Sequence, residues 1–247
     1  MTNILITGGA RGIGRATAIA AARRGWCVTI SYQNNQQAAQ DTLAALRAAG
    51  GQGLAVPAEA ASEADTARLF AESRAAFGPL HGVVANAGIV GDKAMLADMS
   101  VERLRRMFEV NVLGAYLTAR EAARTLPRDR GGEGGAIVLV SSIASRLGSP
   151  GEYVDYAGSK GAVDTLALGL AKELAPQGVR VNCVRPGLTA TDIHASGGQP
   201  DRAARLGATT PMGRPAQPEE IAAAILFLLS EEASYMTGSI VDVGGGR

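Results

Sequence analysis

The chain has 247 residues, 47% of them hydrophobic and 19% charged, with a formal net charge of +1. This length supports a large buried core and fits one α/β domain over residues 1–247, and the composition excludes a disordered chain. The near balance of charge gives no basis for binding nucleic acid or an anionic membrane, so neither partner is expected.

Strand-like Asn3-Ile4-Leu5-Ile6-Thr7 begins the chain where a signal peptide would otherwise stand. From there, short β-branched runs alternate with longer Ala-rich stretches of helical period, the pattern of a parallel sheet covered by helices on both faces. Strands are predicted at Asn3 to Thr7, Cys27 to Tyr32, Gly53 to Val56, Gly82 to Ala85, Ala136 to Ser141, Val179 to Val184 and Ile240 to Val243. Helices are predicted near Ile13 to Arg24, Gln36 to Ala49, Glu63 to Ala76, Val101 to Thr125, Tyr156 to Ala175 and Pro218 to Leu229. Ser62 and Ser100 stand where helix caps belong, and Gly25, Gly50, Gly78 and Gly178 end other helices. The expected fold class is therefore α/β, doubly wound, with a seven-stranded parallel sheet. Leu188 to Pro215 breaks the rhythm as a long connection rich in Thr, Gly, Ala and Pro, and is expected to cover the substrate. Ile221 to Leu229 is too short to span a bilayer, and Cys27 and Cys183 lie singly in apolar runs without metal spacing. These features predict a cytoplasmic protein with no metal.

The first strand runs into Thr7-Gly8-Gly9-Ala10-Arg11-Gly12-Ile13-Gly14 and then a helix. Glycines at 8, 12 and 14 let backbone approach a ligand whose pyrophosphate rests on the helix N-terminus. The spacing is Gly-x3-Gly-x-Gly, and alone it also describes a tight strand-to-helix turn. A second pattern is Tyr156 and Lys160, one helical turn apart, so that a phenol and an ammonium share a face. With five Tyr and three Lys in the chain, about 0.06 such pairs arise by chance. A phenol titrates near pH ~10, and a neighbouring cation favours phenolate, so Lys160 is expected to lower the Tyr156 pKa toward neutrality.

Taken together, Thr7 to Gly14, Asn86-Ala87-Gly88, Asn111, Ser142, the Tyr156/Lys160 pair, Pro186-Gly187 and Thr237 to Gly246 resemble the short-chain dehydrogenase/reductase family in order and over essentially the whole chain. Ser149 to Tyr156 is similar to bacterial members described as sugar or polyol dehydrogenase-like, and the family also holds carbonyl reductase-like enzymes. The resemblance implies a Rossmann-type domain in which Tyr156 exchanges a proton with the substrate oxygen while hydride moves to or from nicotinamide. It implies that Lys160 acidifies Tyr156 and bonds the nicotinamide ribose, that Ser142 holds the carbonyl, with Ser141 as its rival, and that Asn111 holds a water of the relay. It places the cofactor against Gly8, Arg11, Gly12, Ile13, Gly14, Tyr32, Glu59, Asn86, Ala87, Gly88, Tyr156, Lys160, Pro186, Gly187, Thr189 and Thr191. Two departures stand out: Ala85 precedes Asn86 where many relatives have a second Asn, and Glu59 stands where an Asp commonly meets the adenine amine.

Cofactor choice turns on the end of the second strand, where Ser31-Tyr32-Gln33-Asn34-Asn35 offers no acid to bond ribose hydroxyls and repel a 2′-phosphate. Arg11 can clamp that phosphate, so NADP(H) is expected over NAD(H), with NAD(H) still possible. The expected substrate is a small alcohol or carbonyl compound near Ser142, Ala144, Gly148, Tyr153, Gly187, Leu188, His194 and Met212. Relatives imply a homotetramer or homodimer packed through the two long helices. The alternatives are an NAD(H)-linked sugar or polyol dehydrogenase, a non-catalytic dinucleotide sensor, and a methyltransferase; neither of the last two needs the phenol and ammonium.

Overall fold

Neighbouring side chains of a strand point to opposite faces, and the first strand shows what that does here. In the computed structural model, which describes residues 2–247, Ile4 and Ile6 of β1 (Asn3–Ile6) enter one core and Leu5 enters another. The chain continues as α1 (Gly12–Ala22), β2 (Cys27–Tyr32), α2 (Gln36–Ala48), β3 (Gln52–Pro57), α3 (Glu63–Phe77) and β4 (Gly82–Ala85). Next come α4 (Val101–Phe108), a π-helical segment (Glu109–Leu113), α5 (Gly114–Thr125), β5 (Gly135–Val140), α6 (Ala144–Leu147) and α7 (Val154–Leu174). β6 (Val179–Pro186), α8 (Ile193–Ser196), α9 (Arg202–Gly207), α10 (Pro218–Leu229) and β7 (Ile240–Val243) complete it.

All seven strands pair in parallel in the order β3-β2-β1-β4-β5-β6-β7. One face of the sheet packs Leu5, Val83, Ile137, Leu139 and Val181 against Leu69 and Phe70 of α3, Ala119 and Ala122 of α5, and Val163 and Ala167 of α7. The other packs Ile4, Ile6, Val28, Ile30, Val84, Val138 and Val184 against α1, α2 and α10, through Ala18, Leu43, Leu46, Ile221 and Ile225. This is the expected doubly wound α/β architecture. Because the chain leaves β1 toward β2 and β3 and then returns to place β4 on β1's other side, the carboxyl ends of β1 and β4 flank a crevice. Open parallel sheets bind ligands at such a point.

The predicted caps form: Ser62 Oγ accepts from the Asp65 amide at 3.2 Å and Ser100 Oγ from the Arg103 amide at 3.2 Å. One prediction needs correction. The helix expected over Val101 to Thr125 is interrupted, because five residues around Asn111 wind as a π-turn between α4 and α5. One inserted residue leaves the apolar period on either side intact, so the sequence reads as continuous. The connection after β6, expected as a long cover, carries two short helices. Ala216 donates its amide to Leu188 O and accepts from the Ala190 amide, both at 2.9 Å, which closes the base of the excursion and leaves α8 and α9 within it.

Candidate active site

Thr7 and Asn86 build the glycine turn between them. The Thr7 hydroxyl accepts from the amides of Asn86 and Ala87 at 3.0 and 3.1 Å, while Asn86 Nδ2 donates to Thr7 O and Gly8 O at 2.9 and 3.1 Å. The loops after β1 and β4 are thereby locked together at the crevice. Gly8 takes φ +65°, and a Cβ on Gly14 would lie 2.5 Å from Gly8 O, so both positions exclude side chains. Arg11 precedes α1 without a capping bond from its side chain, and the first turn of α1 holds no acidic residue. The positive end of that helix is therefore uncompensated by protein and faces the crevice, which suits a pyrophosphate.

The crevice opens into a cleft of about 670 Å³. Of the residues singled out in the sequence, Gly8, Arg11, Gly12, Ile13, Tyr32, Glu59, Asn86, Ala87, Gly88, Ser142, Tyr156, Lys160, Pro186, Gly187, Thr189 and Thr191 line it. Gly14 and Asn111 lie behind its wall, the first shaping the turn and the second the loop after β4. Asn111 Oδ1 accepts from the Ile89 amide at 2.8 Å, and its Nδ2 donates to Ile89 O at 2.9 Å and Ser159 Oγ at 3.1 Å. Nδ2 also lies 3.0 Å from Met107 Sδ four residues back, so the side chain ties its own helical stretch to protein 22 and 48 residues away. A Cβ on Gly88 would lie 3.3 Å from Asn111 Oδ1 and 3.4 Å from Lys160 Nζ, so glycine there lets the two side chains converge.

Tyr156 and Lys160 project from the first turns of α7. Lys160 is buried, its Nζ donates to Val140 O at the end of β5 at 2.8 Å, and it lies 5.8 Å from the centre of the Tyr156 ring. Burial pushes the ammonium down to about 8, against the attraction of Asp164 one turn onward. Tyr156 departs from expectation. Its burial among protein atoms pushes the phenol above its ordinary value, opposed by a hydrogen bond with Ser142 and by the charge of Arg202. Desolvation of the phenolate outweighs the help of nearby cations here, so the phenol is protonated at neutral pH, the state a proton donor requires.

The two serines both line the cleft and differ in their partners. Ser141 is buried and donates to Lys160 O at 3.0 Å, whereas Ser142 turns its hydroxyl to the cleft and to Tyr156. Behind α7, Arg103 holds Asp155 through Nε at 2.9 Å and Nη2 at 3.3 Å, and donates to Asp92 O at 2.6 Å. The Asp155 carboxylate has no exposed surface, so this pair fixes the start of α7 next to Tyr156. Arg103→Leu strands that carboxylate without a partner and is expected to destabilise the protein by about 3 kcal/mol. Thermal unfolding checks this, with Arg103→Leu/Asp155→Leu together expected to recover most of the loss.

At the end of the cleft nearest α1, the Arg11 side chain is exposed and makes no hydrogen bond or ion pair among the described residues. Glu59 is held by Arg106, with both contacts at 3.3 Å, and accepts from Gln33 Nε2. Its oxygens are occupied, so direct acceptance of the adenine amine by Glu59 is disfavoured. At the other end, Ala144, Tyr153, Leu188 and His194 line the cleft as expected, but Gly148 and Met212 do not. Met212 is 62% exposed beside Gly245, because the chain turns outward after α9. Sequence reading quoted Thr7 in the glycine run without giving it a role, and missed Arg202 and the Tyr153–Gln199 hydrogen bond. Only Thr7, adjoining the glycine run, carried a local signal.

No helix among the described residues is long and apolar enough to cross a membrane. Residues 8–247 match a family model described as enoyl-(acyl carrier protein) reductase. The chain is 49% identical, over the full length of both proteins, to one named uncharacterized oxidoreductase YgfF from Escherichia coli (strain K12). It is 38% identical to an L-rhamnose 1-dehydrogenase (NAD(P)(+)) from Sphingomonas sp. (strain SKA58), covering 98% of this chain and 94% of that one. The crystal structure of a 3-ketoacyl-(acyl-carrier-protein) reductase from Brucella melitensis complexed with NADH superposes with a TM-score of 0.91, at 30% identity, over 100% of this chain and 98% of that one. These matches span the glycine turn, the sheet and the cleft alike, and the chain belongs to the short-chain dehydrogenase/reductases, oxidoreductases acting on alcohol and carbonyl groups.

Proposed function

We propose that this protein interconverts a secondary alcohol and a ketone or aldehyde with NADP(H), using Tyr156 as the general acid and base. The observation that carries the reading is the convergence of Tyr156, Ser142 and Lys160 on one wall of the cleft that begins at the glycine turn. A bound nicotinamide supplies or takes the hydride. Ser142 holds the substrate oxygen, and the protonated Tyr156 Oη gives its proton to that oxygen as negative charge develops on it. Lys160, anchored on Val140 O, stabilises the phenolate that remains, and Asn111 keeps the loop carrying Gly88 and Ile89 in place. The segment 188–215 covers the substrate. A cytoplasmic homotetramer or homodimer is consistent with Phe108, Leu113 and Tyr116, exposed along the π segment and the helices beside it.

The preference for NADP(H) rests on Arg11, unpaired at the cleft's adenosine end, and on the absence of an acid in Ser31 to Asn35. Glu59 adds little negative charge there because Arg106 accompanies it. Arg11→Ala is expected to lower kcat/KM for NADP(H) by roughly 10- to 100-fold, as lost charge-assisted bonds to a phosphate predict. NAD(H) kinetics should change little. The L-rhamnose 1-dehydrogenase relative is named for both cofactors and the Brucella structure contains NADH, so an NAD(H)-linked sugar or polyol dehydrogenase is the second reading. A panel of carbonyls and polyols assayed with both cofactors decides. A large preference for NAD(H) rejects the first reading, and no turnover across the panel rejects both.

A further inference from the structure

The substrate end of the cleft holds a cation that proton transfer does not use. Arg202 opens α9 within the segment after β6, and its side chain lines the cleft while only 16% exposed. Nη2 donates to Glu152 Oε2 at 2.6 Å, and the guanidinium lies 5.3 Å over the ring of Tyr153. Nε is buried with no hydrogen-bond partner, and the remaining donors have no acceptor among the described residues. A buried donor left unmet costs free energy unless a ligand satisfies it.

The charge is also only partly cancelled. Glu152 is shared between Arg202 and Lys93, whose Nζ lies 3.6 Å from Oε1, so two cations face one carboxylate. Glu152 itself lies behind the lining, and the acidic side chains that line the cleft are Glu59, paired at the far end, and Asp192, exposed at the rim. His194 donates through Nε2 to Thr189 O at 2.9 Å, and burial, together with the charge of Arg202, holds it toward the neutral form. The substrate end therefore presents the mostly buried Arg202 guanidinium, with spare donors, beside neutral groups, Tyr153, His194 and Ser142, while Arg247, which also lines the cleft, is exposed. Arg202 is close enough to the reaction centre for its charge to act on Tyr156.

We propose that Arg202 is a specificity residue that receives a carboxylate carried by the alcohol or carbonyl substrate, making this protein selective for hydroxy acids and oxo acids. The proposal rests on the reading of the cleft given above and names the substrate class for it. Tyr153 supports the guanidinium from its face, with Gln199 donating to the Tyr153 hydroxyl, while Glu152 sets its orientation. Such a site rejects the neutral ester of the same shape, because the ester leaves Nε and the spare donors of Arg202 desolvated with no charged acceptor.

The test compares methyl-ketone acids CH3CO(CH2)nCOO⁻ of increasing chain length with their methyl esters, in wild type, Arg202→Leu and Arg202→Lys, each confirmed folded by circular dichroism. The readout is the ratio of kcat/KM for acid over ester. Wild type should favour the acid of best length by roughly tenfold or more, as a charge-assisted bond predicts, chiefly through KM. The ratio should fall toward one in Arg202→Leu and be partly kept in Arg202→Lys. A wild-type ratio near one at every length overturns the proposal, as does a ratio that Arg202→Leu leaves unchanged, the result expected if Arg202 only fastens α9 to Glu152. If no compound turns over, the oxidoreductase reading fails for this class of carbonyl, and binding still judges Arg202. Thermal shift of the protein with NADPH should then show stabilisation by the acids in wild type but not in Arg202→Leu, and no difference between the two proteins overturns the proposal.

Discussion

Tyr156→Phe is expected to lower kcat by roughly 10³- to 10⁴-fold, the upper range for loss of a positioned proton donor, while leaving the dissociation constant for NADPH within about twofold because cofactor contacts are spread along the cleft. Phenylalanine keeps the ring, its packing in the first turn of α7 and its contact with the Lys160 ammonium 5.8 Å away. Only the hydroxyl and its bond with Ser142 are lost, so stability should barely move. The readings that compete with catalysis make the opposite prediction. A dinucleotide sensor or a methyltransferase on this fold has no use for the phenol, and either would retain its function in Tyr156→Phe. Steady-state turnover and quenching of bound NADPH fluorescence, measured on the same preparation, separate these outcomes. Unimpaired turnover would remove Tyr156 from the chemistry.

Lys160→Met should act on rate and stability in opposite directions. The buried ammonium titrates at about 8 instead of its ordinary 10.5, a penalty of about 3 kcal/mol at ~1.4 kcal/mol per pH unit. The folded protein binds this proton more weakly than the unfolded chain does. The penalty is therefore fully present below about pH 8, and the ligand-free protein gains stability as pH rises from about 8 toward 10.5. Methionine removes the charge but also the bond to Val140 O, worth about 1 kcal/mol, so a net gain of about 1–2 kcal/mol is expected in ligand-free protein at pH 7. Turnover should fall by roughly 10³-fold, since the phenolate loses the cation that stabilises it. Urea unfolding at pH 7 and pH 10, with kcat measured alongside, checks both parts. A variant less stable than wild type at pH 7 would show that the anchored ammonium holds the fold together instead of straining it.

The sheet was legible because parallel strands buried on both faces must be continuous apolar runs, and each of the seven lies within a residue or two of its prediction. The glycine turn was legible for a related reason. Backbone approach demands glycine at fixed places, and Gly8, Gly12 and Asn86 are written next to the strands that position them. What escaped was set by packing between distant segments. The π-turn at Asn111 leaves the apolar period undisturbed, and α8 and α9 are too short to carry a period of their own. Arg103 meets Asp155 across 52 residues and Arg202 meets Glu152 across 50, contacts that no local pattern announces. The direction of the Tyr156 shift was misread for the same reason. The spacing to Lys160 reveals the nearby cation, whereas the desolvation that outweighs it comes from protein gathered around the phenol in three dimensions.

A crystal structure of the ternary complex, with NADP(H) and a carbonyl inhibitor bound, tests the central claim most directly. The substrate oxygen should lie within hydrogen-bond reach, roughly 2.6–3.2 Å, of both Tyr156 Oη and Ser142 Oγ, with the pyrophosphate against the turn from Gly8 to Gly14. A carbonyl oxygen directed away from Tyr156, toward the rim or toward His194, would contradict proton transfer by this phenol.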